Sequence, residues 1–306
     1  MIDLHLHLDG SLPIDTFIKL ARMANVNIPD DREDVRKLLS LPPDSRDLND
    51  YLKCFDMPLS VLQTEEAVYT ATKELCESLK SQGLEYAEIR FAPQLHLRQG
   101  CSQEGITVAA CDGVKASGFN AGLILCCMRG LENRSLNMDT VKIASTTRKN
   151  GVVAVDLAGA EALFPTADYR ELFEYASSLG LNFTVHAGEA DGPESVWSAI
   201  SFGTPRIGHG IRAISDPELL KAIKKKGIVL EMCPKSNLQT GAATKENYPL
   251  LKYLEMGIPV TLNTDNMTVS DTTLAAEFEL AERLFGITDA QKKILCENAR
   301  KAIFIR

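Results

Sequence analysis

The chain lacks any apolar run of about 18 residues, the minimum for a helix that spans a bilayer, and no charged-then-apolar leader precedes its first strand pattern. The expectation is a protein that neither crosses a membrane nor carries a visible export signal. Paired cysteines are missing as well. The eight thiols, at positions 54, 76, 101, 111, 126, 127, 233 and 296, form no Cys-x-x-Cys and no regular spacing. That argues against a zinc ribbon or a disulfide framework and predicts reduced thiols in a cytoplasmic protein. Basic charge is in deficit: 33 Lys and Arg face 41 Asp and Glu, a net charge of −8. Neither a nucleic-acid duplex nor an anionic membrane is therefore an expected partner. The three lysines at 224–226 close an amphipathic helix before Gly227 and read as a dipole-complementing helix end. No Gly-x-Gly-x-x-Gly and no Walker loop follows a strand, which weakens a dinucleotide-binding sheet. Histidine is scarce, at five in the whole chain, and that makes each placement informative.

What is present begins at the first residues. Ile2, Leu4, Leu6 and Leu8 alternate with Asp3, His5, His7 and Asp9. A period of two is a strand signal, and it sends both histidines to one face. Their Cα atoms then lie about 6.5–7 Å apart, close enough for two imidazoles to meet one metal ion. An isolated His-x-His reads more simply as one buried imidazole and one surface residue. The other histidines tip the balance, because His186 and His209 also close short apolar strands.

Residues 14–24, 32–39, 48–61 and 65–82 show helical apolar spacing, punctuated by Pro13, Pro29, Pro42-Pro43 and Gly83. Short apolar runs follow at 86–91, 122–127, 152–157, 182–185, 206–208, 228–232 and 259–262, separated by amphipathic helical stretches. With the first strand they make eight, near-continuously apolar as parallel strands covered on both faces are. Eight βα units in 306 residues predict a single-domain (β/α)8 barrel over residues 1–306. The first connection, about residues 10–82, is too long for a plain crossover and is expected to form a helical lid over the barrel mouth.

Polar residues collect where these strands end: His5 and His7, Asp156, His186, His209, Cys233 and Asp265. In a barrel those ends converge on one mouth, where active sites of this fold lie. Three imidazoles and one carboxylate suit a Zn²⁺ ion with a position left for water, and His5, His7, His186 and Asp265 are the expected ligands. A second metal would need a bridging carboxylate or a carboxylated lysine, and no lysine lies in the runs ending at Cys127, Leu157 or Val185. One ion per chain is predicted. Zinc lowers the pKa of its water toward ~7, which supplies a nucleophile for hydrolysis. Glu189, three residues beyond His186, can serve as general acid once its place beside a metal and under a bound aromatic ligand raises its pKa, although alone it would read as a charge serving the next helix. His209, between Gly208 and Gly210, is the expected base.

The segments His-Leu-His-Leu-Asp-Gly-Ser (5–11), Asp-Leu-Ala-Gly-x-Glu (156–161), His-Ala-Gly-Glu (186–189), Gly-His-Gly (208–210), Cys-Pro-x-Ser-Asn (233–237) and Asn-Thr-Asp (263–265) resemble the adenosine deaminase branch of the amidohydrolases. They come in family order and span nearly the whole chain. The resemblance implies a (β/α)8 barrel with one zinc and hydrolytic conversion of adenosine, with 2′-deoxyadenosine, to inosine products and ammonia. It implies zinc ligation by His5, His7, His186 and Asp265, with His7 also facing the substrate. Glu189 would protonate purine N1, and His209, helped by Asp265, would activate and position the attacking water. The Gly159 amide would meet purine N3, and Asp9 the ribose 5′-hydroxyl. The His-x-Glu and Pro-Cys-x-x-Cys signature of the cytidine and tRNA deaminases is absent.

Two departures stand out. Where the family often has Asn-Thr-Asp-Asp-Pro, residues 263–267 read Asn-Thr-Asp-Asn-Met, which puts Asn266 at the position that contacts purine N7. The sequence also begins at the first strand, without the short extension common in the family, an expected influence on lid packing rather than chemistry. The alternative substrate is free adenine or another 6-aminopurine, and the shorter Asp9, where related adenine deaminases tend to have Glu, favours the nucleoside. A catalytically silent ligand-binding barrel is the reading from another class. It is disfavoured because Glu189 and His209 are both retained. Three residues are given no catalytic part: His96, expected on a solvated polar loop; Trp197, expected in helix packing; and Cys233, expected to be structural. The sequence does not set the oligomeric state, and a monomer is compatible with it.

Overall fold

The structure, a computed structural model, describes residues 1–42, 45 and 48–304; Pro43 of the punctuating proline pair lies outside the described residues. Strand β1 (Ile2–His7) is followed by helices α1 (Ile14–Met23), α2 (Arg32–Leu39), α3 (Leu48–Lys53), α4 (Asp56–Val61) and α5 (Glu65–Ser81). Then come β2 (Tyr86–Phe91), α6 (Gln103–Ser117), β3 (Ala121–Met128), α7 (Arg134–Thr147), β4 (Val152–Ala158) and α8 (Arg170–Ser178). The alternation continues through β5 (Asn182–Ala187), α9 (Pro193–Phe202), β6 (Arg206–His209), α10 (Pro217–Lys226) and β7 (Val229–Met232). Helices α11 (Pro234–Gln239) and α12 (Leu250–Glu255), strand β8 (Val260–Leu262), and helices α13 (Leu274–Phe285) and α14 (Asp289–Ala302) complete it.

The strands pair in parallel and in chain order from β1 to β8. The last gap is bridged by backbone: His7 N donates to Asp265 O and Asp265 N donates to His5 O, both at 2.7 Å. This is the predicted (β/α)8 barrel. Local chemistry punctuates its helices. Asp31, Thr64, Ser102 and Asp216 accept first-turn amides of α2, α5, α6 and α10, the usual satisfaction of orphan helix donors. The expected helix over 48–61 is instead two helices with a break at Cys54 and Phe55. Pro58 has no amide hydrogen for a bond to Cys54 O, and it is tolerated only in the first turn of a fresh helix.

Each strand buries both faces. On β1 and β2, Leu6, Ala87, Ile89 and Phe91 join the apolar layer beneath the helices. The intervening Asp3, His5, Glu88 and Arg90 are also fully buried, on the opposite face that the strand period dictates. The barrel interior is thus ionic. Arg206 Nη1 reaches Glu88 Oε2 and its Nε reaches Glu231 Oε1, both at 2.6 Å. Arg90 Nη1 lies 2.8 Å from Asp156 Oδ2, and Nη2 lies 2.9 Å from Glu231 Oε2. Such buried pairs are weak net stabilisers against apolar packing, but removing one partner typically costs about 3–5 kcal/mol.

His96 corrects an expectation. It is buried rather than solvated, because the short turn Pro93–Leu95 folds it back under the loop. Its Nδ1 meets Leu62 O at 2.7 Å and its ring packs edge-on against Phe91, while burial pushes its pKa down to about 4. Trp197 is partly exposed on α9 and donates its Nε1 hydrogen to Asp216 Oδ2 at 2.8 Å, tying α9 to the start of α10.

Candidate active site

The carboxyl ends of the strands surround a cavity of about 280 Å³. His7, Asp9, Gly159, His186, Glu189, His209, Asp265 and Asn266 all line it, so residues chosen from five separate segments of sequence meet at one place. The segment running from α3 into α4 supplies an apolar wall through Tyr51, Leu52, Phe55 and Leu59, with Leu95 and Met128 beside it. The lining is more apolar than polar, which suits a flat, weakly polar ligand.

The floor is a ring of four donors. His7 Nε2 lies 3.3 Å from His186 Nε2, and Asp265 Oδ1 lies 3.5 Å from both His5 Nε2 and His7 Nε2. A tetrahedral ion with bonds near 2.0–2.1 Å sets its donors about 3.3–3.5 Å apart, so the spacing fits one Zn²⁺-sized cation. His5 Nε2 is buried and has no hydrogen-bond partner among the described residues, which is the condition of a ligand atom waiting for a cation. Burial also holds His7 and His186 below the usual imidazole pKa, in the neutral form a metal requires.

Each histidine is aimed from behind. His5 Nδ1 contacts Glu231 Oε2 at 2.8 Å, and His186 Nδ1 lies 2.8 Å from Asp156 Oδ2. The Glu231 carboxylate keeps the His5 ring proton on Nδ1 by hydrogen bonding and leaves the Nε2 lone pair for the ion, while Asp156 favours the same form of His186 through its nearby charge. Arg90 joins the two carboxylates. Arg129 lines the cavity and gives terminal hydrogens to Phe164 O, Thr166 Oγ1 and His186 O, which ties it to the loops around the site. Asp265 sits at φ +60, a left-handed conformation in which its backbone closes the barrel while its carboxylate turns inward. Ser236 donates to Asp265 Oδ2 at 2.5 Å.

Above the ring, Glu189 Oε2 lies 3.5 Å from His209 Nε2, and Thr240 Oγ1 lies 3.4 Å from Glu189 Oε1. Burial raises the Glu189 pKa above the usual range, with the His209 ring opposing it. His209 Nδ1 contacts the Asn237 amide at 2.9 Å, and the Tyr248 hydroxyl donates to Asn237 Oδ1 at 3.2 Å. Asp9 is pushed up to about 6 by burial, opposed by the Gly10 amide that donates to it. Cys233 is fully buried with Sγ near Glu231 O, close enough to His209 and Asp265 for the three to approach one cation. Sequence reasoning gave no role to Arg90, Glu161, Glu231 or Asn237. The available signal for Arg90 and Glu231 was a charge embedded in an otherwise apolar strand.

An eight-stranded barrel with three imidazoles and a carboxylate converging at its mouth defines a metal-dependent amidohydrolase. Residues 1–306 match the family described as Adenosine deaminase. The chain is 48% identical over 315 residues to the adenosine deaminase of Haemophilus ducreyi, covering 100% of this chain and 92% of that protein. The apo N6-methyl-AMP deaminase of Arabidopsis thaliana shares the fold at a TM-score of 0.86 and 26% identity, over 100% of this chain and 92% of that one. A zinc-bound amidohydrolase from Burkholderia ambifaria reaches 0.86 at 22% identity, over 100% and 85%, a likeness of fold alone. The chain belongs to the adenosine deaminase family.

Proposed function

We propose that the chain hydrolyses adenosine and 2′-deoxyadenosine to the corresponding inosines and ammonia, with one Zn²⁺ held by His5, His7, His186 and Asp265. The observation that carries the reading is the stacking of a raised-pKa carboxyl, Glu189, and an imidazole, His209, over the four-donor ring in one cavity. Bound there, the ion supplies a Lewis acid that makes water nucleophilic at neutral pH. The chain's own groups do the rest. Glu189 gives its proton to purine N1, so that C6 can accept water without a full negative charge building on the ring. His209, with Asp265, orients that water toward C6 and takes up its proton. The exocyclic nitrogen then leaves as ammonia with the proton that His209 took up, and the C6 hydroxyl returns its proton to Glu189 as the carbonyl of the product forms.

Recognition follows the same wall. The Gly159 amide donates to N3, Asp9 accepts from the ribose 5′-hydroxyl, Asn266 donates to N7, and His7 borders the ring. Helices α3 and α4 act as a lid, since their Tyr51, Leu52, Phe55 and Leu59 cover the apolar face of the cavity. The reaction belongs in the cytoplasm, in keeping with cysteines that form no disulfide among the described residues, where no helix is long and apolar enough to cross a membrane. The test is a substrate panel followed by ammonia release and by the purine absorbance change. Adenosine and 2′-deoxyadenosine should be turned over with kcat/KM far above that of adenine. A preference for adenine would replace this reading with the free-base alternative.

A further inference from the structure

Glu161 lies two residues after Gly159 and is 2% exposed, yet it neither lines the cavity nor belongs to the donor ring. Its carboxylate is the hub of the neighbouring loop. Oε1 accepts from Gly188 N at 2.6 Å and from Ser195 Oγ at 2.5 Å. Oε2 accepts from Glu189 N at 3.0 Å, Ala190 N at 2.7 Å and Asp191 N at 3.1 Å. Four successive amides between β5 and α9 therefore point at one side chain. Gly188 makes the turn possible: it sits at φ +72, and a Cβ there would come within 2.6 Å of Val196 Cγ2.

Two oxygens offer about four lone-pair sites, and five donors fill them only when the group is an ionised carboxylate. Burial opposes that ionisation, but the Ser195 hydroxyl, the Arg129 charge and the loop amides outweigh it and hold Glu161 below the usual range. Glu189, carried on this loop, has only long contacts at its own carboxyl among the described residues, 3.4 Å to Thr240 and 3.5 Å to His209. Its reach toward a ligand is thus set by its backbone, whose amides are held by Glu161 while Arg212 holds the Gly188 and Glu189 carbonyls. The same side chain fixes the spacing between the Gly159 loop and the Glu189 loop, the two ends of the purine site.

We propose that Glu161 is the positioning residue of the general acid, holding the 188–191 loop so that the Glu189 carboxyl meets purine N1; this rests on the deaminase reading above. Glu161→Gln keeps the shape but turns an amide NH₂ against backbone donors. It should lower kcat for adenosine about 10–100-fold, with KM and metal content changed less than about three-fold. The decisive measurement is a cycle with Glu189→Gln. If Glu161 acts through Glu189, adding Glu161→Gln to that background costs less than about three-fold. An equal loss in both backgrounds overturns the proposal and leaves Glu161 a general structural residue. Ser195→Ala, which removes one donor and keeps the carboxylate, carries the same cycle if Glu161→Gln does not fold, with a smaller loss that also vanishes beside Glu189→Gln. Hydrogen exchange separates this from the functional reading. Amides 188–191 should be slow in the unaltered chain and fast in Glu161→Gln or, to a lesser degree, Ser195→Ala; unchanged exchange overturns the proposal. Absence of adenosine turnover by the unaltered chain overturns the function and leaves the loop assignment to that exchange result.

Discussion

His7 Nε2 stands 3.3 Å from His186 Nε2, with the Asp265 carboxylate 3.5 Å from His7. Two neutral imidazole lone pairs at that distance repel unless a proton or a cation lies between them. Burial lowers both histidines' affinity for the proton, which favours the cation. The expected outcome is about one equivalent of zinc by elemental analysis, lost together with activity on chelation and restored by Zn²⁺. Because the ion binds the folded chain, its removal should lower Tm. Ligand at about 100 times Kd stabilises by ~2.7 kcal/mol. Two essential ions, or full activity and an unshifted Tm in metal-free protein, would refute the single-ion site.

The carboxylates behind the histidines lead to a second expectation. Glu231 contacts His5 Nδ1 and both buried arginines, while Asp156 contacts His186 Nδ1 and Arg90. Asp156→Asn should weaken zinc affinity about 10–100-fold, since the ring loses the charge that favours its tautomer. Competition with a chelator of known affinity reads this directly. Glu231→Gln should do the same at His5 and also lower Tm, because it leaves two buried guanidiniums short of a counter-charge. Unaltered zinc affinity in Asp156→Asn would confine these groups to folding.

How much of this the sequence carried depends on distance along the chain. The eight strands were legible because parallel strands buried on both faces read as short apolar runs, and β2 agrees at both ends. The donor ring was legible because strand ends converge in a barrel, so separate histidines could be assigned to one mouth. The ionic interior was not. Arg90 meets partners 66 and 141 residues away, and a charge in a mostly apolar strand does not announce which one. Glu161 was quoted in a motif yet left without a part, because four of its five donors are backbone amides, which nearly every residue possesses. His96 was misplaced for a similar reason: its acceptor is the carbonyl of Leu62, and polar neighbours disguised a buried turn.

A third expectation concerns proton delivery. Glu189→Gln should retain zinc and lose about 10²–10⁴-fold in kcat, since an amide has no proton to give N1. The pH profile carries the sign. Burial raises the Glu189 pKa above its ordinary 4.5, and the acid form is the active one. Rate should therefore be flat below the raised value and fall as pH climbs through it, a limb missing from the residual activity of the Gln variant. A variant within a few-fold of the unaltered enzyme would remove Glu189 from the mechanism.

The last expectation concerns Asn266, where this chain leaves the commonest family pattern. Its Oδ1 is buried against Gly10, so closely that a Cβ on Gly10 would lie 1.9 Å away, and it has no hydrogen-bond partner among the described residues. With the carbonyl end turned to Gly10, the amide nitrogen faces the cavity that Asn266 lines, where the Tyr51 hydroxyl is also within its reach. Purine N7 accepts a hydrogen bond, so its partner must donate. An Asp can do so only when protonated, whereas an amide donates at any working pH. If Asn266 meets N7, 7-deazaadenosine should be worse than adenosine by about 1–3 kcal/mol in transition-state free energy, because the buried donor loses its partner. Asn266→Asp should then lose activity on the alkaline side, as the carboxyl ionises and turns a lone pair toward N7. Gly10→Ala should mimic the loss at every pH by displacing the amide. Equal kcat/KM for the two nucleosides, with an unchanged pH profile in the Asp variant, would assign Asn266 to the β8 loop alone and reopen the choice of substrate.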